Sequence, residues 1–133
     1  MNHLEKEIDS KLAEQFLTHK KLHGDKLSEL INKLTTLFFS TETKRLDPYH
    51  LKNTKQKHDP EFWKNVDKLQ NLEKPFLIVK DSKTHAWKLE SSADLKMLFS
   101  ETTGFPFWIA DDNFKVLIYM DDHDCVYISD CTQ

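Results

Sequence analysis

This chain of 133 residues has only two glycines, Gly24 and Gly104, and no long apolar run. Phosphate-cradling loops and nucleophile elbows need closely spaced glycines, so the sequence argues against both. No apolar run approaches the roughly 20 residues that span a bilayer, and residues 1–7 lack the apolar stretch of a signal peptide. We therefore predict one cytoplasmic domain, residues 1–133, with no membrane partner.

Cysteine is equally scarce, with Cys125 and Cys131 six residues apart. A disulfide between them is conceivable, but without an export signal the sequence favours two reduced thiols. Neither thiol lies in a catalytic signature, and no cofactor-binding motif is present. We therefore predict no cofactor.

Charge is distributed unevenly along the chain, although the net charge is only −3. Residues 1–90 contain 17 basic and 14 acidic residues, whereas residues 91–133 contain 2 basic and 8 acidic residues. This asymmetry predicts an acidic surface that could meet a basic partner. The plain alternative is that these acids only solubilise the turns of a sheet.

Hydrophobic periodicity predicts helices in the first half of the chain. Apolar residues recur at three- to four-residue spacing from Leu4 to Lys21 and from Lys26 to Phe39, which is typical of amphipathic helices. Gly24 is well placed as the C-cap of the first helix, and the two helices could pack as an antiparallel hairpin. A third helix begins at Asp59-Pro60-Glu61 and ends at Pro75.

Strands and one further helix are predicted in the second half. Residues 75–80 form a continuous apolar run and residues 85–90 alternate, which indicates two antiparallel strands. A serine-capped helix then ends before Gly104. Three more strands complete the set, at residues 105–110, 114–120 and 125–129. The order ααα-ββ-α-βββ predicts an α+β fold whose N-terminal helices pack on one face of a mainly antiparallel sheet, with residues 1–74 mainly helical and 75–133 mainly sheet.

Two acidic turns in the last third form the candidate site: Asp111-Asp112-Asn113 and Asp121-Asp122-His123-Asp124. Successive turns lie at opposite ends of an antiparallel sheet, so we do not expect these two to meet. Four consecutive turn residues cannot all point at one ion, and the spacing of a calcium loop is absent. We therefore prefer a protein-binding rim to a metal site, with a solvated turn as the plain alternative. The predicted partner-binding residues are Asp111, Asp112, Asp121, Asp122, His123, Asp124, Trp108 and Tyr119.

Two alternative functions depend on other features. A metal-dependent hydrolase or nuclease would use the acids and the histidine of residues 121–124. A nucleic-acid-binding module would use the polar loop predicted at residues 40–58, where Tyr49 is the only aromatic residue among five basic ones, Lys44, Arg45, Lys52, Lys55 and Lys57. Single-strand binders interleave several stacking rings with such charges, so we favour a solvated loop.

His58 and His85 invite an acid–base interpretation because histidine titrates near neutrality. Neither lies beside a nucleophile in a recognisable motif. We predict ordinary surface histidines and a protein that is not an enzyme.

The last third of the chain carries a resemblance to a known class of proteins. From Gly104-Phe105-Pro106-Phe107-Trp108-Ile109 to Asp121-Asp122-His123-Asp124, and in size and α+β order, the chain resembles small cytosolic immunity proteins of bacterial toxin systems, such as contact-dependent inhibition. The resemblance implies one cognate toxin domain as the partner. Physically, an acidic protein can occlude the basic groove of a nuclease toxin by presenting carboxylates in place of phosphates. The oligomeric state stays open.

Overall fold

Seven antiparallel strands form one sheet in the computed structural model, which describes residues 3–40, 46–69, 72–102 and 104–130. The order across the sheet is β1-β4-β3-β5-β6-β7-β2. The strands are β1 (His19–Leu22), β2 (Thr54–His58), β3 (Phe76–Lys80), β4 (Thr84–Leu89), β5 (Phe107–Ala110), β6 (Val116–Met120) and β7 (Cys125–Asp130). The helices are α1 (His3–Glu14), α2 (Gly24–Phe38) and α3 (Ser92–Ser100), with 3-10 helices at Pro48–His50 and Phe62–Lys68. The predicted α+β class is confirmed.

Helices cover both faces of the sheet, so the prediction that they pack on one face is wrong. Buried residues of α1, α3 and the 3-10 helix Phe62–Lys68 pack with one set of strand residues, on what we call the α1/α3 face. Buried residues of α2 pack with the alternate set, on the α2 face. The physical reason lies in β3 and β5, whose residues from Phe76 to Val79 and from Phe107 to Ala110 are all buried. A strand buried on both sides needs a layer on each face.

The first helix is shorter than the predicted span from Leu4 to Lys21, because it ends at Glu14 and β1 begins at His19. Phe16 adopts the left-handed conformation, with φ of 55°. The N–H of Leu17 donates to the carbonyl of Leu12 at 3.0 Å, and that of Phe16 donates to Ala13 at 3.2 Å. This pair of bonds is a Schellman motif, which usually has glycine where Phe16 stands.

Gly24 begins α2 and does not cap a preceding helix, which corrects the second prediction in this region. It has φ of +51°, and His23 before it is extended. Because β1 separates α1 from α2 and the two helices lie on opposite faces, they form no hairpin.

The predicted loop at residues 40–58 contains an edge strand, β2, which pairs with β7 from Thr54↔Ser129 to His58↔Cys125. All five residues of β2 are exposed, so the strand has no apolar alternation to reveal it. The other edge strand, β1, carries Lys20 and Lys21. Lysines on both edges oppose unwanted pairing with other chains. Residues 41–45 lie outside the described residues.

The elements of the second half follow the sequence pattern closely. Strands β3 and β4 pair as a hairpin, and Ser91 caps α3 by accepting the N–H of Asp94 at 3.2 Å. Strand β5 begins at Phe107, directly after Pro106, and lies inside the sheet between β3 and β6. The third predicted helix is a 3-10 helix of seven residues. No helix in the described ranges is long and apolar enough to cross a membrane.

Candidate functional site

The two acidic turns lie at opposite ends of β6, as the order of the strands requires. The β5–β6 turn is a closed structural unit. The carboxylate of Asp111 is fully buried and accepts backbone N–H groups from Asn113, Lys115 and Val116 at 3.2, 2.8 and 2.9 Å. The neighbouring Asp112 is half-buried, and its N–H donates to the carbonyl of Glu73 at 3.1 Å. Asp111 therefore shapes the backbone and offers nothing to a partner.

The β6–β7 turn has two bonds of the same kind and is more exposed. Asp121 accepts the N–H groups of His123 and Cys125, both at 2.9 Å. Asp124 follows in the left-handed conformation, with φ of 64°. Its carbonyl accepts the N–H of Asp59 at 2.8 Å, which fixes the turn to the segment before the 3-10 helix. Asp122 and His123 are exposed, and Asp124 is half-exposed.

A pocket of about 320 Å³ opens beside this turn on the α1/α3 face. Its walls come from the 3-10 helix Phe62–Lys68, the C-terminal end of α3, the segment before β5 and the β6–β7 turn. We call it the acidic pocket, and its lining residues are Pro60, Trp63, Phe99, Thr102, Gly104, Phe105, Pro106, Phe107, Met120, Asp121, Asp122 and Asp124. The aromatic wall is well packed, since the rings of Phe99 and Phe107 stack at 4.4 Å between centroids and Phe105 meets Phe107 edge-on at 6.3 Å.

The electrostatics of the acidic pocket favour a cation. Three of its lining residues are aspartates, and none of the described lining residues is basic. Helix α3 ends at the pocket and has no basic residue in its last turn. The negative end of its dipole therefore adds to the charge of the carboxylates. Nearby, Lys64 places its Nζ 5.6 Å from the centroid of Trp63, but this ammonium is paired with Glu61 at 2.8 Å.

Trp108 and Tyr119 lie on the α2 face, away from the acidic pocket. Trp108 is buried, with 7% of its surface exposed, and its ring lies 4.4 Å from that of Tyr119. Burial raises the pKa of the Tyr119 hydroxyl, and the charges of Asp121 and Asp122 raise it further. The predicted site is thus divided among three places: the α2 face, the β5–β6 turn, and the β6–β7 turn with Asp121, Asp122, His123 and Asp124.

A second polar cluster, which the sequence reasoning missed, joins α1 to β1 and β4. The ammonium of Lys21 contacts Glu5 at 2.5 Å and Asp9 at 2.7 Å, and the indole N–H of Trp87 donates to Asp9 at 2.9 Å. His85 lies between two carboxylates, with Nε2 3.1 Å from Asp81 and Nδ1 3.5 Å from Glu5. His85 is therefore not the surface residue predicted from the sequence, since it is only 8% exposed.

The charges of this cluster stabilise one another. The hydrogen bond from Lys21 holds the pKa of Glu5 below its usual value, against the opposing effect of desolvation. Burial acts to raise the pKa of Asp81, but hydrogen bonds from the N–H of Lys83 and from His85 outweigh it and lower that pKa. A general base must reach its substrate, and here both ring nitrogens of His85 face carboxylates. The geometry is that of a structural tie between α1 and the sheet.

The two alternative functions depend on residues 121–124 and on the basic residues of the segment 40–58. Within the described ranges, no group of three or more His, Cys, Asp or Glu side chains is placed to hold a metal ion. Lys55 and Lys57 belong to the edge strand β2, where Lys57 pairs with Asp59 at 3.4 Å, while Lys44 and Arg45 lie outside the described residues. Cys125 is a free thiol, and Cys131 also lies outside that part of the chain.

Sequence reasoning found the acids of the pocket but missed its apolar half. The signal in the sequence is the closely spaced run Phe105, Pro106 and Phe107, which lines the pocket together with Phe99 of α3. No protein-family model, curated protein or solved structure matches the chain, so the functional assignment rests on the geometry and charge of its own residues.

Proposed function

We propose that the protein is a non-catalytic binding protein that uses the acidic pocket and the exposed tip of the β6–β7 turn to hold a basic protein partner. In its specific form, the proposal is that the chain acts in the cytoplasm as an inhibitor. It neutralises a partner such as a bacterial nuclease toxin by covering the partner's basic active site.

The observation that carries this proposal is that an aromatic pocket wall and an acidic rim lie side by side. Protein interfaces combine an apolar anchor pocket with a polar rim. Here the aromatic wall formed by Phe99, Phe105 and Phe107 lies directly beside the carboxylates of Asp122 and Asp124. A solvated turn would present the acids without the pocket.

The fold supports this role because it holds the rim in place. The turn is fixed internally by Asp121 and externally by the bond from Asp59 to the Asp124 carbonyl. A rim that is already ordered loses little conformational entropy on binding. Its charge also accelerates encounter with a basic partner, an effect that weakens as salt screens it.

A charge reversal at Asp122 tests the proposal without disturbing the turn. Asp122 is exposed, and its carboxylate contacts only His123 at 3.6 Å among the described residues. We expect Asp122→Lys to weaken binding to the basic partner by about tenfold or more, equivalent to roughly 1.4 kcal/mol. The partner is obtained by affinity capture from the source cells or as the product of a neighbouring toxin-like gene, and binding is measured by calorimetry at two salt concentrations.

The matched control is Glu29→Lys, which makes the same charge change at an exposed position of α2 on the opposite face. We expect it to leave partner binding and neutralisation of the partner's activity unchanged. Equal effects from the two reversals, or a bound partner that is not basic, would contradict the proposal. Asp121→Lys is less informative, since it also removes the acceptor of two backbone N–H groups.

A further inference from the structure

We infer that the acidic pocket is built to receive an arginine side chain, and that this side chain is the anchor by which the basic partner is held. The inference rests on the proposed function, because it assigns the arginine to that partner. It goes further in naming the chemical group and the residues that recognise it.

The size and the walls of the pocket fit one long side chain. A volume of about 320 Å³ is at the small end of the range for ligand pockets. Its apolar walls can cover the methylene stem of such a side chain, and the half-buried ring of Trp63 offers a flat surface beside them. A planar guanidinium stacks on aromatic rings, whereas an ammonium is a compact and strongly hydrated charge.

The carboxylates are placed to pair with the cationic end. Within the described ranges, the Asp124 carboxylate has no hydrogen-bond or ion-pair partner, while its backbone is held at both the N–H and the carbonyl. Asp122 lies on the same rim and is exposed. Two carboxylates on one rim can accept from the forked donors of a guanidinium, which has five N–H groups in one plane.

The C-terminus of α3 adds to this preference. The helix ends beside Phe99 and Thr102, and its last turn contains no lysine, arginine or histidine. The carbonyl end of a helix favours a cation, and the chain supplies none of its own in that turn. An arginine from outside would complete the charge pattern.

The test uses a single amino acid in place of the partner. N-acetyl-arginine amide is titrated into the isotope-labelled protein and followed by NMR, with N-acetyl-citrulline amide as the neutral isostere and N-acetyl-lysine amide as the second cation. We expect saturable shifts at the Trp63 indole N–H and at the backbone N–H groups of residues 122–124, weakening with salt. Binding of the citrulline and lysine derivatives is expected to be at least about tenfold weaker.

A pair of variants locates the effect. Asp124→Asn keeps the size of the side chain and removes the charge, and we expect it to weaken binding of the arginine derivative by about fivefold. Glu29→Gln on α2 is expected to change nothing. Shifts spread over both faces, equal binding of arginine and citrulline, tighter binding of lysine, or insensitivity to Asp124→Asn would each overturn the assignment.

The two proposals fail separately. If arginine amide enters the acidic pocket but no basic partner is bound through this surface, the proposed function is wrong and the arginine site remains. If a basic partner is held in a manner sensitive to Asp122→Lys but arginine amide does not enter the pocket, the arginine assignment is wrong and the proposed function remains.

Discussion

The β5–β6 turn and the β6–β7 turn are the same local structure built twice. In each, the first aspartate accepts the backbone N–H groups of the second and fourth residues after it, as Asp111 and Asp121 do. In each, the third residue after that aspartate has a positive φ, 57° at Phe114 and 64° at Asp124. Both turns also have a backbone bond from that residue back to the first, at 3.2 and 3.3 Å. Local sequence determines the shape of both.

Their surroundings differ, and this difference separates a structural turn from a candidate site. Asp111 is fully buried, and Phe114 packs on the ring of Phe76 at 5.9 Å. Around the second turn, Asp122 and Asp124 face an open pocket. The packing around an Asp-Asp turn therefore determines whether its carboxylates are buried in backbone hydrogen bonds or exposed beside a pocket.

The largest expected difference between the turns is in stability. We expect Asp111→Ala to lower the free energy of unfolding by about 4 kcal/mol, because the fully buried carboxylate that accepts three backbone N–H groups is lost. Asp121→Ala should cost only about 1–2 kcal/mol, because water can reach its two donors. Urea denaturation of both variants measures the contrast, with Asp112→Ala as a control of small effect. Equal losses would show that the turns are not distinguished by burial.

Glycine substitutions at the two positive-φ positions are expected to change stability in opposite directions and by smaller amounts. Asp124→Gly relieves backbone strain at a position with little packing, and we expect a gain of up to about 1 kcal/mol in the free energy of unfolding. Phe114→Gly relieves the same strain but removes the ring that packs on Phe76 and lies 4.4 Å from the Lys33 ammonium. We expect a net loss of about 1 kcal/mol there. Thermal unfolding of both variants measures these changes in stability. If Phe114→Gly stabilised the protein, the packing of the Phe114 ring would contribute little.

The smallest expected effect is on tyrosine ionisation. Burial raises the pKa of Tyr119, and Asp121 and Asp122 of the β6–β7 turn raise it further. We expect Asp122→Asn to lower that pKa only slightly, since solvent screens the charge of the exposed Asp122, and Asp112→Asn to leave it unchanged. Because the folded pKa is above the unfolded value near 10, this stability contribution is complete below about pH 10 and lost as the pH rises through the folded pKa. An NMR titration of the tyrosine rings measures the pKa of Tyr119 in both variants. Equal changes in that pKa would show that the two turns do not differ in their effect on Tyr119.

Sequence patterns predicted the centre of the sheet well, since apolar runs and short turns mark β3 to β7. They failed at the edges for physical reasons. Strand β2 buries no side chain, so period-two alternation is absent. The first predicted helix includes β1 because the left-handed position that follows α1 is occupied by Phe16 and not by glycine, which usually signals a helix end.

For the candidate site, the sequence indicated which acidic residues to consider. It did not indicate that one of the two acidic turns is buried and the other exposed. The turns Asp111-Asp112 and Asp121-Asp122 look alike as sequence, and only the packing around them shows that Asp111 is internal. The pocket wall could not be assigned either, because it combines Trp63 with Phe105, residues that only the folded chain brings together. Likewise, the contacts of His85 with Glu5 and Asp81 depend on the docking of α1, which no local pattern reveals.

The placement of the two edge strands has a consequence for how the chain is made. The five inner strands lie in one stretch from Phe76 to Asp130, whereas β1 and β2 come from far upstream and pair with β4 and β7. During synthesis both edge strands therefore emerge well before their partners exist. They must wait as unpaired segments, and their lysines and exposed side chains keep them from associating with other nascent chains in the meantime. The inner strands can assemble first, and the long loops that connect the edges close last, so these late pairings are expected to set the pace of folding.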